Sequence, residues 1–162
     1  MRAINPSSPR GALEVNGLRF ACLLGKRGRT HFKREGDGKS PVGRWRLVQL
    51  FYRPDKVRHP RGGKAVTESF GWCDDRNHGQ YNRAVKLPFL GSHEAMWRQD
   101  EAYDLVFVTD HNQRPRLRGL GSAIFFHLWR EGATGTEGCV ALKAADFRKV
   151  LALCRGETYL VI

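Results

Sequence analysis

The chain contains no run of about 18 apolar residues, the length a membrane-spanning helix needs, so it carries no such span. It is also short of negative charge. Asp and Glu number 16 against 28 Lys and Arg, a formal net charge of +12. Closely spaced cysteine pairs are missing too: Cys22, Cys73, Cys139 and Cys154 are far apart and match no zinc-binding pattern. There is no His-Glu-x-x-His segment, and His59, His93 and His111 lie in polar stretches without ligand spacing. Neither a metal nor a cofactor is therefore expected. The opening stretch, residues 1 to 10, has one early basic residue but no apolar segment behind it and no lipidation motif. It reads as a cytoplasmic start, where all four cysteines stay thiols. A missing export signal would instead imply a periplasmic or extracytoplasmic protein.

What is present is enough for one folded unit. With 162 residues and 41% hydrophobic side chains, a single domain over 1–162 with a sizeable core is expected. The basic excess is concentrated early: residues 19 to 46 hold nine Lys or Arg and two acidic residues. Such a field draws in polyanions and small anions alike. Nucleic acid is nonetheless not the expected partner. The aromatics do not interleave with the basic residues along a strand, and no basic recognition helix is apparent. A membrane partner is not expected either.

Local patterns point to a mainly β fold. Asn16-Gly17 divides two short alternating stretches between Gly11 and Leu24, which is a hairpin signal. Lys26 to Gly43 forms a Gly-rich basic loop. Trp45 to Tyr52 should be a strand, ended by Pro54. Residues 53 to 88 show little regular pattern, and a segment of that length inside a compact domain is usually functional. Glu94 to Gln99 reads as one or two helical turns. Tyr103 to Thr109 is the clearest strand and, being almost unbroken in apolar residues, a central one. Ser122 to Leu128 is a second apolar run ending at a histidine. Phe147, Val150, Leu151 and Cys154 recur at three-and-four spacing, so Lys143 to Leu153 should be an amphipathic helix. Thr158 to Ile162 closes the chain as a strand.

Two residues stand out chemically. Cys22 and Cys154 have apolar neighbours and read as inert core thiols, whereas Cys73 and Cys139 lie among glycines and polar residues, where thiols tend to be exposed and reactive. A nucleophilic thiol needs a base. His127, at the end of an apolar strand, is held rigidly, and the turn-rich path from Arg130 to Gly138 returns the chain toward it. Gly138 lets the backbone approach a substrate, so that its amide and that of Cys139 can face a developing oxyanion. A rival pair, Cys73 with His78, is also conceivable. The segment Gly36-Asp37-Gly38-Lys39-Ser40 superficially matches the end of a phosphate loop. It lacks the upstream glycine, since position 33 is Lys, and Pro41 opposes the helix such a loop feeds.

His127, followed by Thr136-Glu137-Gly138-Cys139-Val140, resembles the signature of the YkuD-type L,D-transpeptidase family. Lys33 to Gly43 is similar to that family's early loop of the form Gly-x-Thr-Pro-x-Gly. Gly71-Trp72-Cys73-Asp74-Asp75, Tyr81-Asn82 and Gly121 to Phe125 extend the resemblance to a compact branch. The resemblance implies a YkuD-like β-sandwich with one late α-helix and long active-site loops. It implies Cys139 as nucleophile, His127 as base and the backbone carbonyl of Leu128 as the group that orients the ring. The implied substrates are peptidoglycan stem peptides or muropeptides, attacked at the bond between the L-centre of meso-diaminopimelate and D-alanine. Two positions depart from the pattern: the family's His before Gly-Cys is Glu137, and the Arg or Asn after the cysteine is Ala141. Arg34 is then the candidate for a substrate carboxylate. Asp74 and Asp75 are candidates for the diaminopimelate amine, Glu137 for an amine or as a loop brace, and Trp72 for a groove wall. Tyr81 and Asn82 join them as substrate-binding candidates. Compact relatives of this kind resemble cytoplasmic L,D-carboxypeptidases, which trim D-alanine from tetrapeptides. The alternatives are an exported L,D-transpeptidase forming 3–3 crosslinks through the same thioester, and a non-enzymatic basic polymer-binding module.

Overall fold

The computed structural model describes residues 2–3 and 6–162; Met1, Ile4 and Asn5, within the stretch read for a targeting signal, lie outside the described residues. The chain starts with β1 (Arg2–Ala3), β2 (Arg10–Val15) and β3 (Leu18–Leu23). The last two form the expected hairpin. Asn16 and Gly17 both take positive φ, 48° and 77°, the requirement of a tight two-residue turn whose twist matches its strands. The basic loop that follows is pinned by two short parallel strands, β4 (Arg29–Thr30) and β5 (Ser40–Pro41), and leads into β6 (Arg44–Tyr52).

Residues 53 to 88 are more ordered than their sequence suggests. They contain β7 (Gly63–Ala65), β8 (Phe70–Cys73) and β9 (Arg83–Lys86). The helical turns expected from Glu94 are replaced by β10 (His93–Ala95), which pairs with β8 through Ala95 and Gly71. Each of these strands is only three or four residues long, too short to show alternation. Pairing with distant partners, not local propensity, makes them strands. Next come β11 (Leu105–Thr109), β12 (Phe125–Leu128), β13 (Val140–Leu142), the helix α1 (Ala144–Leu153) and β14 (Tyr159–Val161).

The large sheet runs β1-β2-β3-β13-β12-β11-β6-β14, with β7 beside β6; β10-β8-β9 form a separate sheet. The protein is mainly β, a β-sandwich with one late helix. As expected, β11 is central, lying between β12 and β6. Its side chains alternate between two apolar clusters. Leu105 and Phe107 join Phe126, Val140, Leu142 and Phe147 of α1 on one face. Val106 and Val108 join Trp72, Met96, Phe125 and Cys139 on the other. Burial on both faces is why the β11 sequence is almost continuously apolar. The three-and-four spacing of α1 places Phe147 and Val150 in the first cluster, with the Phe147 ring centroid 4.7 Å from that of Phe126. Burying one such ring contributes roughly 1.5–3 kcal/mol.

The same period-two rule sets the chemistry. On β12, Phe126 and Leu128 face the helix, so Phe125 and His127 face the other way. On β13, Val140 and Leu142 face the helix, so Ala141 and the preceding Cys139 share the face of His127.

Candidate active site

β12 and β13 pair in parallel, with Phe126 opposite Val140 and His127 opposite Ala141. Continuing that register sets Cys139 across from Phe125, diagonally adjacent to His127 on the same face. The Phe125 N–H donates to Cys139 Sγ at 3.3 Å, and the thiol donates to Ala123 O at 3.2 Å. Cys139 and His127, each 8% exposed, open into one cavity of about 460 Å³.

His127 Nδ1 lies 2.8 Å from the carbonyl oxygen of Leu128. A carbonyl only accepts, so this contact puts the proton on Nδ1 and leaves Nε2 with a lone pair. The Tyr103 ring meets the imidazole edge-on at 5.3 Å. Burial pushes the His127 pKa down to about 4, although the carbonyls of Leu128 and Ala102 favour the charged ring. Burial pushes the Cys139 thiol up to about 12; the Phe125 N–H and Lys33 pull it down, and Glu94 and Glu137 push it up. Both groups are therefore neutral at rest near pH 7.

Three elements hold the nucleophile. Ser40 of β5 and Thr136 both donate from their hydroxyls to Cys139 O, at 3.3 and 2.7 Å. Ala123 is held at φ +50°, a left-handed conformation that costs a non-glycine residue of order 1 kcal/mol. Its N–H donates to Asn82 Oδ1 at 3.2 Å. Asn82 is buried and also accepts from Trp72 Nε1, while its Nδ2 donates to the carbonyls of His111 and Asn112. Trp72 packs edge-on against Phe125. Trp72 and Asn82 thus lie behind the cavity wall, fastening the segment that touches the sulfur.

The other residues singled out from sequence divide similarly. Tyr81 donates its hydroxyl to Glu35, which also accepts from Ser122 at 2.7 Å; burial and that carboxylate raise the Tyr81 pKa. Asp75 accepts from the Asn77 N–H in a turn. Arg34 is exposed, and the cavity wall takes its neighbours Lys33, Glu35 and Gly36 instead. Asp74 does line the cavity, and its Oδ1 is buried with no hydrogen-bond partner among the described residues. Glu137 sits on the rim, its carboxylate 2.6 Å from Lys26 Nζ. The Gly138 N–H, expected to face an oxyanion, donates to Thr136 Oγ1 at 3.1 Å. In this state it is engaged elsewhere.

Cys73, expected to be exposed, is fully buried in β8, because its strand lies between β9 and β10. Its proposed partner His78 is engaged elsewhere: Nδ1 accepts from the Gln80 N–H, and the ring packs on Phe89.

Five charged residues lining the cavity, Lys33, Glu35, Glu94, Arg98 and Arg130, escaped the sequence reading. Lys33 is 7% exposed, and its ammonium pairs with Asp37. Asp37 also accepts from the Arg34 and Lys39 N–H groups, and these partners outweigh its burial to keep its pKa low. Glu94 accepts from the Tyr103 hydroxyl at 3.3 Å and lies 3.9 Å from Arg98; burial first, then Asp74, raises its pKa. The alternation of charge and glycine in Lys33-Arg34-Glu35-Gly36-Asp37-Gly38 was the available signal for the first. Nothing local marks Glu94.

A thiol held against a strained turn, a neutral imidazole oriented by a carbonyl, and a walled cavity together suit acyl transfer. No curated protein matches the chain. The family model described as the L,D-transpeptidase catalytic domain, YkuD, matches residues 10–162, and the chain belongs to that family of cysteine acyl-transfer enzymes acting on peptidoglycan.

Proposed function

We propose that the protein is an L,D-carboxypeptidase that releases terminal D-alanine from the meso-diaminopimelate–D-alanine bond of peptidoglycan tetrapeptides. The observation that carries this reading is the sharing of one walled cavity by Cys139 and His127 on adjacent parallel strands. The thiol turns its proton from Ala123 O to Nε2 of His127, and Sγ attacks the carbonyl carbon at the L-centre of diaminopimelate. The tetrahedral oxyanion collapses, the C–N bond breaks, and the imidazolium returns the proton to the departing D-alanine nitrogen. Water then attacks the thioester carbon, His127 accepts its proton, and the sulfur leaves to recover that proton as a thiol. The products are a tripeptide and D-alanine. Because both groups start neutral, His127 acts as a general base during attack instead of holding a preformed thiolate.

Hydrolysis is favoured because a nearly enclosed sulfur admits water more readily than the amine of a second stem. Action on free muropeptides in the cytoplasm belongs to the same proposal, since a reducing compartment keeps Cys139 a thiol. Cell fractionation tests that part. The second reading, 3–3 crosslinking, draws support from a neighbouring depression of about 630 Å³. It shares Ala133 with the first cavity and is lined by Trp129, Lys143 and Arg10, giving space for an acceptor stem.

The test is incubation of disaccharide-tetrapeptide with purified protein, followed by mass analysis. Free D-alanine and tripeptide are expected, and Cys139→Ala abolishes both. Dimeric product when a second stem is supplied would overturn the hydrolase in favour of crosslinking. Unchanged substrate with no modified sulfur would sink both.

A further inference from the structure

The conformation of Lys33 is unusual for a lysine. Its side chain passes between two glycines. A Cβ on Gly121 would lie 2.8 Å from Lys33 Cγ, and one on Gly138 would lie 3.3 Å from Lys33 Nζ. Gly121 at φ +91° and Gly138 at φ +137° both hold backbone that favours glycine. The slot between them delivers the ammonium to the cavity wall beside the residue that precedes Cys139.

A buried ammonium needs more than its charge balanced. It has three N–H donors. One goes to Asp37 and one to the Arg34 carbonyl at 3.0 Å. Asp37 also accepts from the backbone N–H donors of Arg34 and Lys39. The third Lys33 donor has no acceptor among the described residues, and the side chain lines the cavity that holds Cys139. The other cations there are spent differently. Arg98 gives its Nε and Nη2 to Asp100, at 2.8 and 2.7 Å, and Arg130 is largely exposed at the rim.

We propose that Lys33 forms an anion subsite beside Cys139, binding a carboxylate of the acyl donor with its unspent N–H. The slot between Gly121 and Gly138 fixes that donor in place, so the subsite is built before the ligand arrives. The subsite chosen from sequence reasoning, Arg34, is one residue away and on the wrong side of the loop. The proposal rests on the cavity being the acyl-donor site, as argued above.

The test reads the sulfur and needs no cell-wall substrate. Cys139 is alkylated by iodoacetate and by iodoacetamide, and labelling at that residue is followed by mass spectrometry. In the wild type the iodoacetate/iodoacetamide rate ratio is expected to exceed that of glutathione by roughly tenfold or more, since a charge-assisted hydrogen bond favours the carboxylate. Lys33→Gln returns the ratio to the glutathione value. Lys26→Gln, which removes the same charge at the rim, leaves the ratio high. Equal ratios in the wild type and Lys33→Gln would overturn the proposal, as would an equal fall in Lys26→Gln. Should Lys33→Gln fail to fold, wild-type protection decides: D-alanine should slow iodoacetamide labelling saturably and D-alaninamide should not. Equal protection by both would again overturn it. Carboxylate selectivity without tetrapeptide turnover would leave the subsite standing and sink the hydrolase; turnover without selectivity would do the reverse.

Discussion

At the scale of single residues, burial sets the protonation of the catalytic candidates. The unfolded imidazole of His127 takes up a proton near pH 6.5, and the folded one only near pH 4. Between these values the unfolded chain binds more protons. This contribution to stability is therefore complete above about pH 6.5 and is lost as pH falls toward 4, by on the order of 3 kcal/mol. His111, also held down by burial, acts in the same direction. Urea unfolding at about pH 7 and about pH 4.5 should show a smaller loss for His127→Asn than for the wild type; equal losses would contradict it. Glu137 presents the opposite case. Its side chain is 72% exposed and its ion pair with Lys26 lies open to solvent, so its charge is screened. Glu137→Gln should change thermal stability by less than about 0.5 kcal/mol and Cys139 alkylation by less than about twofold. A larger change in alkylation would make that carboxylate a determinant of thiol reactivity.

At the scale of elements, the nucleophile is held by loops that stronger structure pins. Gly138 sits at φ +137°, and an added Cβ would lie 2.9 Å from Lys39 O, a backbone atom fixed by the β4–β5 pairing. Gly138→Ala should cost roughly 1–3 kcal/mol in thermal unfolding and also displace Lys33, lowering the iodoacetate preference at Cys139. Asn82 ties β8 to the strained turn at Ala123. Asn82→Ala leaves the Trp72 N–H, the Ala123 N–H and two carbonyls without their partner, at a cost on the order of 3 kcal/mol. The expected result is a lower urea midpoint and faster exchange of the Ala123 amide; an unchanged midpoint would mean that water replaces the side chain. The same elements show where sequence reading works. The β2–β3 hairpin and α1 were legible because a positive-φ Asn-Gly pair and a three-and-four apolar spacing are local properties. β8, β9 and β10 were not, because each exists through its partners.

At the scale of the whole molecule, a net charge of +12 surrounds a cavity whose lining mixes Lys33, Arg98 and Arg130 with Glu35, Asp74 and Glu94. Under the proposed function, the outer field would speed the approach of anionic muropeptides and the mixed lining would sort their charges at contact. Raising salt from about 20 to about 500 mM should lower kcat/KM for tetrapeptide several-fold by screening that approach, with kcat nearly unchanged. A kcat that falls in parallel would place the salt effect inside the cavity.

By itself the sequence determined, through its resemblance, the family and the carbonyl that orients the ring, and, from the residues themselves, the thiol and imidazole to examine and the unbroken apolar run that makes β11 central. Those are properties of neighbouring residues, carried by spacing and local conformation. The tertiary structure alone decided that Lys33 and not Arg34 reaches the cavity, that Glu94 joins it, that Trp72 and Asn82 stand behind it, and that Cys73 is sealed in a strand. It also decided that both reacting groups are neutral. Each of these depends on which distant segments exclude water from a given atom, and desolvation is a property of the packed molecule that no stretch of chain carries alone.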